Sequence, residues 1–294
     1  MKRVIVVCAV VVLFCSGYAG AATWTSVAYP GAPHTLVTGI DGSNLAGSYY
    51  DASEKRHGFS YDGTTWASFD APGTIYTQDI DGSNIVGYYY DTSGNGHGFL
   101  YNGTSLTTYD APGATETYIY GIEGSNLVGY SRFGNAYHGV IYNGTTWTTI
   151  DKPGSNLAII DGIKGSNLFG SYYDNSWNKH GFLYDGTNWT TLEPFGIQSW
   201  ITGIDGSHIV GYLEYEYNFH GLVFDGTDWI LYDMPGASDT YIMDIDAGKA
   251  VGFYYDAFDG RARGFVCEIP EPATFLLLCL GGVLLRRCSR CEGR

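Results

Sequence analysis

Cysteine is scarce where it could strengthen the fold. Of the six cysteines in the sequence, only Cys267 lies in the body of the chain. The others lie near the two ends: Cys8, Cys15, Cys279, Cys288 and Cys291. A single cysteine excludes an internal disulfide, so strand pairing and packing must stabilise the body. Cys288 and Cys291 have the spacing of metal ligands, but no second pair accompanies them, and we expect no zinc site.

Positive charge is also scarce. Between Ala22 and Cys267 the sequence has 9 Lys and Arg against 27 Asp and Glu. Such an acidic body repels nucleic acid and anionic lipid headgroups, so we expect no nucleic-acid partner. It could attract divalent cations or basic partners, but solubility outside the cell is the simplest account of the charge.

The sequence lacks the common signatures of catalysis. It has no phosphate-binding P-loop, no Gly-x-Ser-x-Gly nucleophile elbow and no His-Glu-x-x-His zinc motif, and we expect no catalytic residues. No stretch with a helical period lies between the two ends. The chain is instead rich in glycine, with 42 residues, and in aromatic residues, with 26 Tyr, 14 Phe and 7 Trp. That composition is typical of a turn-rich protein that buries large side chains.

One unit of about 41 residues recurs six times between the two ends. Five copies carry a Gly-Ser pair, which starts at Gly42, Gly82, Gly124, Gly165 and Gly206, and the sixth has Ala247-Gly248. Five histidines, each followed by glycine, mark a second slot: His57, His97, His138, His180 and His220. The third slot contains Trp24, Trp66, Leu106, Trp147, Trp189 and Trp229. Units of this kind must stack on their neighbours, because one unit cannot bury its apolar face alone.

Each unit contains four strand-like segments. In the second copy they cover residues 64–69, 75–80, 85–90 and 97–101, separated by turn residues. An Asp-Gly or Asn-Gly dipeptide joins the fourth segment to the next copy, beginning at Asp62, Asn102, Asn143, Asp185 and Asp225. This dipeptide is a strong signal for a hairpin in which both central residues have positive φ. We therefore expect the fourth strand of each copy to pair with the first strand of the next.

The repeat predicts an all-β fold, a six-bladed β-propeller of four-stranded blades that spans residues 22–268. The body begins on a first strand at Trp24 and ends on a fourth strand at Phe265. Neither strand has a hairpin partner, so the two should pair and close the ring. An open β-solenoid is the alternative, and it would leave these strands far apart. An N-terminal signal helix and a short C-terminal hydrophobic helix are expected to flank the propeller.

The repeated segments resemble a named family. Residues 203–212, with the pattern Gly-Ile-Asp-Gly-Ser, and the His97-Gly-Phe-Leu-Tyr segment are similar to the HAF-family extracellular repeat, named for a His-Ala-Phe core. Glycine stands where the family name has alanine. The resemblance covers nearly all of residues 24–267 and implies a surface-exposed bacterial repeat protein without an established activity.

Residues 1–21 are typical of a secretory signal peptide. A basic start and the apolar run 4–14 lead to Ala19-Gly20-Ala21, a small-x-small site, so we expect cleavage between Ala21 and Ala22. Lipoprotein processing at Cys15 is the alternative, although a bulky residue precedes that cysteine.

Residues 269–294 resemble the PEP-CTERM sorting signal of Gram-negative bacteria. Pro270, Glu271 and Pro272 precede the apolar segment 273–285. The basic residues Arg286, Arg287 and Arg290 follow. The resemblance implies an exosortase-type sorting protease as partner, transient contact of the tail with the inner membrane, and delivery to the cell surface or exopolysaccharide matrix. An ordinary C-terminal membrane anchor is the alternative, although the apolar segment is shorter than the roughly 20 residues that cross a bilayer comfortably.

The repeated histidines are candidates for catalysis or metal binding, but their repetition argues against both. A catalytic residue is normally unique, whereas a repeated residue stabilises its own unit, here through a hydrogen bond at the start of the fourth strand. The tryptophans of the third slot are expected to pack in the core. The Asp79-Ile-Asp81 and Asp244-Ile-Asp246 segments are interpreted as turn-forming carboxylates. A weak calcium site at a blade edge is the alternative, and no other cofactor is expected.

These observations predict an exported, non-catalytic surface or matrix protein that binds extracellular polysaccharide or acts as a scaffold. A multivalent lectin would have equivalent pockets in several copies. A glycan hydrolase or lyase would have one pocket in the central channel, built from residues that break the repeat. Two segments break it in the loop before His-Gly, namely Arg132-Phe133 and Glu214-Tyr215-Glu216.

Overall fold

A computed structural model describes residues 23–269, which form strands connected by short turns. Blade 1 contains β2 (His34–Asp41), β3 (Asn44–Tyr50), β4 (Arg56–Tyr61) and β5 (Trp66–Phe69). Blade 2 contains β6 (Thr74–Asp81), β7 (Asn84–Tyr90), β8 (Gly96–Tyr101) and β9 (Leu106–Thr108). Blade 3 contains β10 (Glu116–Glu123), β11 (Asn126–Phe133), β12 (Ala136–Tyr142) and β13 (Trp147–Ile150).

The second half of the ring has the same organisation. Blade 4 contains β14 (Ser155–Lys164), β15 (Asn167–Asp174), β16 (Lys179–Tyr184) and β17 (Trp189–Leu192), followed by a 3₁₀ turn at Pro194–Gly196. Blade 5 contains β18 (Ser199–Asp205), β19 (His208–Tyr215), β20 (Asn218–Phe224) and β21 (Trp229–Leu231). Blade 6 contains β22 (Ala237–Asp246), β23 (Lys249–Asp256), β24 (Ala262–Glu268) and, from the other end of the body, β1 (Trp24–Val27).

The predicted six-bladed propeller is confirmed. Each blade is an antiparallel sheet of four strands, and the first strand of each sheet, called the inner strand here, lies beside the central channel. The fourth strand-like segment of each copy pairs with the first of the next, as β4 does with β5. No helix in the described part of the chain is long and apolar enough to span a membrane.

Pairing of β1 with β24 closes the ring. The register aligns Trp24 with Cys267 and Val27 with Gly264. The Trp24 ring also packs edge-on against Phe265, with 4.9 Å between the ring centroids. An open solenoid is therefore wrong for this chain, because its two terminal strands would not meet.

The geometry of the Asp-Gly and Asn-Gly turns differs from the prediction. In the first of them Gly63 has a φ of 92°, but Asp62 is not among the residues with positive φ. Asp62 instead starts a four-residue loop, in which its Oδ1 accepts hydrogen bonds from the backbone N–H of Thr64 (2.8 Å) and of Thr65 (2.7 Å). The hydrogen bonds of the Asp62 side chain, and not a second residue with positive φ, therefore determine the shape of this turn.

The backbone conformation of the turn between the first two strands of each blade depends on the residues at its two central positions. In blade 2, Gly82 has a φ of 61° at the first central position, which is the type II′ requirement. In blade 6 the turn is Ala247-Gly248, and the φ values are 48° and 73°. Both residues are left-handed there, which makes it a type I′ turn and explains why the sixth copy departs from Gly-Ser.

Apolar side chains from adjacent blades form the core. Phe59, Phe99, Phe182 and Phe265 occupy one repeat position and are fully buried. The second strand of each blade needs a glycine where it crosses the inner strand: a Cβ on Gly129 would lie 1.9 Å from the carbonyl oxygen of Tyr118. This close approach explains the Gly of each Val-Gly-Tyr-like segment.

Several sequence predictions concern residues outside those described. They include the cleavage site at Ala21 and Ala22 and the sorting motif Pro270, Glu271 and Pro272. The basic residues Arg286, Arg287 and Arg290 also lie outside residues 23–269.

Candidate functional sites

A β-bulge in every inner strand places one side chain at the central channel. The register of β2 with β3 shifts between Val37 and Gly39, so Thr38 has no partner on the neighbouring strand. The equivalent residues in the other blades are Gln78, Tyr120, Asp161, Thr202 and Met243, and all six line the channel. A bulge redirects a side chain in this way because the extra residue leaves the ladder.

Acidic side chains surround one mouth of the channel. The last residues of the six inner strands are Asp41, Asp81, Glu123, Lys164, Asp205 and Asp246. Lys164 is the only cation among them, and its Nζ lies 3.4 Å from Asp246 Oδ1. The mouth therefore carries a net negative charge with one repeat-breaking lysine.

The carboxylates at this mouth connect neighbouring blades. Asp41 Oδ2 accepts a hydrogen bond from Gly82 N–H (2.7 Å), and Asp246 Oδ2 accepts one from Gly42 N–H (2.9 Å). Each carboxylate thus contacts the first turn of the next blade, not its own turn. Asp81 Oδ2 likewise accepts a hydrogen bond from Gly124 N–H of blade 3, so the interpretation of Asp81 and Asp246 as turn-forming residues is corrected: they stabilise the ring.

Asp79 and Asp244 lie deeper in the channel. Asp79 accepts hydrogen bonds from Ile80 N–H (2.7 Å) and from Ile122 N–H of the next blade (2.9 Å). Asp244 makes the equivalent bonds to Ile245 N–H and to Ile40 N–H. Burial raises the pKa of Asp79 to about 7. Burial and the charge of Asp79 also raise the pKa of Asp244, so the two carboxyls bind protons more readily than exposed aspartates.

Aromatic rings occupy the interior of the channel beyond these acids. Tyr88 stacks on Tyr76 with ring centroids 4.9 Å apart, and Tyr212 stacks on Trp200 at 5.0 Å. Tyr88, Tyr212 and Trp200 line the same cavity, which has a volume of about 370 Å³. Burial raises the pKa of Tyr88 to about 12, so its hydroxyl stays protonated at neutral pH.

One cation lies among these rings. The first residue of β16 is Lys179, which is only 5% exposed. Its Nζ lies 4.2 Å from the Trp200 ring centroid and 5.4 Å from that of Tyr173. Burial lowers the pKa of Lys179 to about 8, and the charge of nearby Asp161 opposes this shift.

The opposite blade has an equivalent cation. Arg56 is the first residue of β4, and its guanidinium carbon lies 4.0 Å from the Tyr76 ring centroid and 5.7 Å from that of Tyr50. A cation packed over aromatic rings therefore recurs with approximate two-fold symmetry across the channel.

The histidine ladder lies away from the channel cavity, near the start of the third strand of each blade. His57 Nδ1 lies 2.7 Å from Asp70 Oδ1, and its Nε2 lies 3.3 Å from Asp51 Oδ2. The other ladder histidines also contact acids: His97, His138, His180 and His220. Each histidine ring thus holds a strand against the turn that leads to the next blade.

The sixth copy replaces this histidine with arginine. Arg263 pairs with Asp256, and its Nη2 lies 2.6 Å from Asp259 Oδ2. A cation bonded to loop carboxylates therefore occupies the slot in blade 6 as well. Because the histidines stand one per blade and away from the channel, the ladder does not form a shared metal site.

The tryptophan slot occupies the first position of the outermost strands. The rings of Tyr61 and Trp66 stack with centroids 4.3 Å apart, and those of Tyr184 and Trp189 with centroids 4.4 Å apart. The remaining members are Trp24, Leu106, Trp147 and Trp229, and all six are half-buried. The side chains of the tryptophan slot therefore cover the outer edge of each blade.

Four strongly exposed aromatic residues lie on the face opposite the acidic mouth. This face carries the loops between the second and third strands and the turns between blades, since strand direction alternates within a blade. Trp177 is 66%, Phe195 55%, Tyr217 95% and Phe258 99% exposed. All four belong to blades 4, 5 and 6 or the turns between them, and we call them the aromatic arc.

Three members of the aromatic arc are held in the left-handed region, one of them Phe195 with a φ of 55°. Trp177 has a φ of 65° at the loop position where blade 2 has Gly94, whose φ is 84°. Tyr217 has a φ of 70°. A large side chain costs about 1 kcal/mol in this conformation relative to glycine. Such strain at an exposed aromatic residue marks the loop as a candidate binding surface.

The two repeat-breaking segments singled out in the sequence do not line the channel cavity. Arg132 Nε donates a hydrogen bond to the Gly134 carbonyl oxygen (2.9 Å), and the Phe133 ring lies edge-on to His138. The segment Glu214-Tyr215-Glu216 leads into the exposed loop of Tyr217. The structure therefore does not bring these two segments together in one channel pocket.

Sequence reasoning missed the channel residues. The bulge slot holds five residue types in six copies, whereas the isoleucine two residues later recurs in all six copies. That contrast was visible in the repeat and could have identified the slot. Across residues 23–269, no group of three or more His, Cys, Asp or Glu side chains is arranged to hold a metal ion.

The fold is shared with solved structures of low sequence identity. The SapL1 lectin in complex with alpha methyl fucoside is 16% identical, with a TM-score of 0.53, over 82% of this chain and 97% of that one. The β-propeller domain of the Trilobed protease from Pyrococcus furiosus is 10% identical, with a TM-score of 0.51, over 80% and 94%. The tricorn protease is 10% identical, with a TM-score of 0.54, over 79% of this chain and 26% of that one.

These similarities concern the fold alone, because a lectin and two proteases share it. The sequence matches no protein-family model and no curated protein.

Proposed function

We propose that this protein is an exported, non-catalytic propeller that binds extracellular polysaccharide through the aromatic arc. The observation that carries the proposal is the placement of Trp177, Phe195, Tyr217 and Phe258, all strongly exposed, in loops on the same face of blades 4 to 6. Exposed aromatic rings grouped on one surface mark interaction sites, and they can stack on the apolar faces of sugar rings.

The charge of the molecule narrows the ligand class. The full chain has 30 acidic against 15 basic residues, and this excess repels anionic polymers. We therefore propose neutral or amino-bearing polysaccharides as ligands and not uronic acid polymers. Methyl α-fucoside, the ligand of the SapL1 lectin complex, is an informative small probe because that lectin has the same fold.

A substitution of Trp177 separates binding from folding. Trp177→Gly removes one ring of the arc and places glycine in a left-handed slot that glycine prefers, so the free energy of unfolding should stay constant or rise by up to about 1 kcal/mol. Affinity for a neutral glucan such as dextran, or for chitosan, should fall at least tenfold. Isothermal titration and denaturant unfolding of the same samples measure both quantities.

Glu54→Gly is the matched control, because Glu54 has a φ of 63° at the equivalent position of blade 1. This variant should gain similar stability and keep full glycan affinity. A panel that contains dextran, chitosan, alginate and methyl α-fucoside, with and without calcium, completes the test. Unchanged affinity in Trp177→Gly, or preferential binding of alginate, would contradict the proposal.

Export rests on the two terminal signals. We infer that the signal peptide directs secretion and that an exosortase-type protease processes the tail, which leaves the body at the cell surface or in the matrix. Replacement of Pro270, Glu271 and Pro272 by alanine should leave the protein unprocessed in the membrane fraction, as measured by fractionation and mass determination in a host that contains the sorting protease. Identical processing of the triple variant would exclude this route.

A further inference from the structure

Lys179 is the most unusual ionisable group in the central channel. It is 5% exposed, and its ammonium group has aromatic neighbours but no hydrogen-bond or ion-pair partner among residues 23–269. A buried lysine without such a partner is rare, because burial of an unpaired charge is costly. The same environment favours the neutral amine, which is the nucleophilic form of lysine.

The surroundings of Lys179 fit carbonyl chemistry better than ion pairing. Its side chain lines the cavity of about 370 Å³, which has room for a small organic ligand. Asp161 lines the same cavity, and its Oδ2 accepts a hydrogen bond from Ser171 Oγ at 3.3 Å. Burial raises the pKa of Asp161, so this carboxyl can retain a proton close to neutral pH and donate it.

We propose that Lys179 forms a reversible imine with a small aldehyde that enters the central channel. The amine nitrogen attacks the carbonyl carbon and gives a carbinolamine. The carbinolamine hydroxyl then takes a proton from the Asp161 carboxyl and leaves as water, while the nitrogen lone pair forms the carbon–nitrogen double bond of an iminium ion. The iminium N–H proton returns to the Asp161 carboxylate, so that the aldehyde and the amine yield the imine and one water molecule. Asp161 is the proton donor for that step, and no oxidant or reductant is required. The inference concerns the channel and stands independently of glycan binding at the aromatic arc.

Blade 1, on the opposite side of the ring, suggests the competing explanation that the buried cation only packs against aromatic rings. Arg56 holds the equivalent position and packs over Tyr76, and arginine cannot form an imine under these conditions. If Lys179 were only a packing cation like Arg56, its amine would not react in the folded protein. Lys179→Arg therefore introduces the residue that already occupies the equivalent position of blade 1, and the variant should fold normally.

Reductive trapping tests the proposal. The folded protein is incubated at pH 7.5 with glycolaldehyde and sodium cyanoborohydride, which reduces an imine to a stable secondary amine, and the peptides are mapped by mass spectrometry. Lys179 should be modified at least tenfold faster than the exposed Lys55 and Lys249. In Lys179→Arg the fast modification should disappear, while that of Lys55 and Lys249 continues.

Asp161→Asn tests the proton donor and should slow the modification of Lys179 without changing that of Lys249. The rate of modification of Lys179 should rise with pH around a midpoint below that of the exposed lysines. Modification of Lys179 only in denaturant, or no faster than that of Lys249 in the folded protein, would overturn the proposal. Because the assay contains no polysaccharide, its failure leaves the test of the aromatic arc unaffected.

Discussion

Single carboxylates have different roles in this propeller according to whether they lie in an exposed loop or beside the channel. Asp62, in an exposed loop, accepts bonds from nearby backbone N–H groups, and these bonds lower its pKa. Asp79 and Asp244 also accept backbone bonds, but the surrounding protein raises their pKa values. The same residue type is therefore stabilised as an anion at the surface and penalised as an anion in the channel.

This difference predicts how stability depends on pH. The pKa of Asp79 is about 7 in the folded protein, against about 4 for an unfolded aspartate. The folded state therefore binds more protons between these values, and the free energy of unfolding falls as pH rises through that window. Guanidinium unfolding should show the wild type more stable at pH 5.5 than at pH 8 by at least about 1 kcal/mol.

Asp79→Asn combined with Asp244→Asn should reduce this pH dependence, because both titrating groups are gone. Some dependence should remain from Asp161, whose pKa burial raises to about 7, and from His97, whose pKa is raised by its hydrogen bond to Asp110; the stabilisation from both groups is also lost as pH rises. Asp62→Asn is the control and should leave the slope between pH 5.5 and 8 unchanged. An equal slope in the double variant would rule out the channel carboxyls as its source.

At the scale of elements, the short strand β1 closes the whole ring although it has only four residues. The Glu268 N–H donates a hydrogen bond to the Thr23 carbonyl oxygen, so Thr23 and Glu268 form a hydrogen-bonded pair. Alternation along an antiparallel ladder makes Thr25 the next residue that bonds to β24, whereas the N–H of Ser26 points away from it. The closure of the ring therefore depends on few backbone bonds.

Proline substitutions in β1 distinguish these two positions. Thr25→Pro removes a closing hydrogen bond and should lower the free energy of unfolding by about 2 kcal/mol or more, with a lower melting temperature. Ser26→Pro places the same ring on the exposed N–H side and should have a clearly smaller effect. Thermal unfolding followed by circular dichroism measures both. Equal losses in the two variants would show that the register deduced for β1 is wrong.

At the scale of the whole molecule, the residues that follow the repeat and those that depart from it lie in different parts of the ring. The turns, the histidine ladder and the tryptophan slot recur around the ring with few departures. Departures concentrate in the channel, at Asp161, Lys164 and Lys179, and in the aromatic arc of blades 4 to 6. The residues that stabilise the fold therefore recur in all six blades, whereas the candidate binding features belong mainly to the second half of the ring.

The amino-acid sequence by itself determined the number of blades, the pairing of successive copies and the closure of β1 on β24, because these depend on local strand, turn and repeat signals. It did not reveal that Asp81 bonds to the next blade, or that Lys179 and Trp200 meet inside the channel. Those contacts join residues of different blades, and only the curvature of the closed ring brings them together. The β-bulge at positions such as Thr38 and Asp161 also escaped the strand pattern, because a bulge is a property of how two strands pair and not of either strand alone.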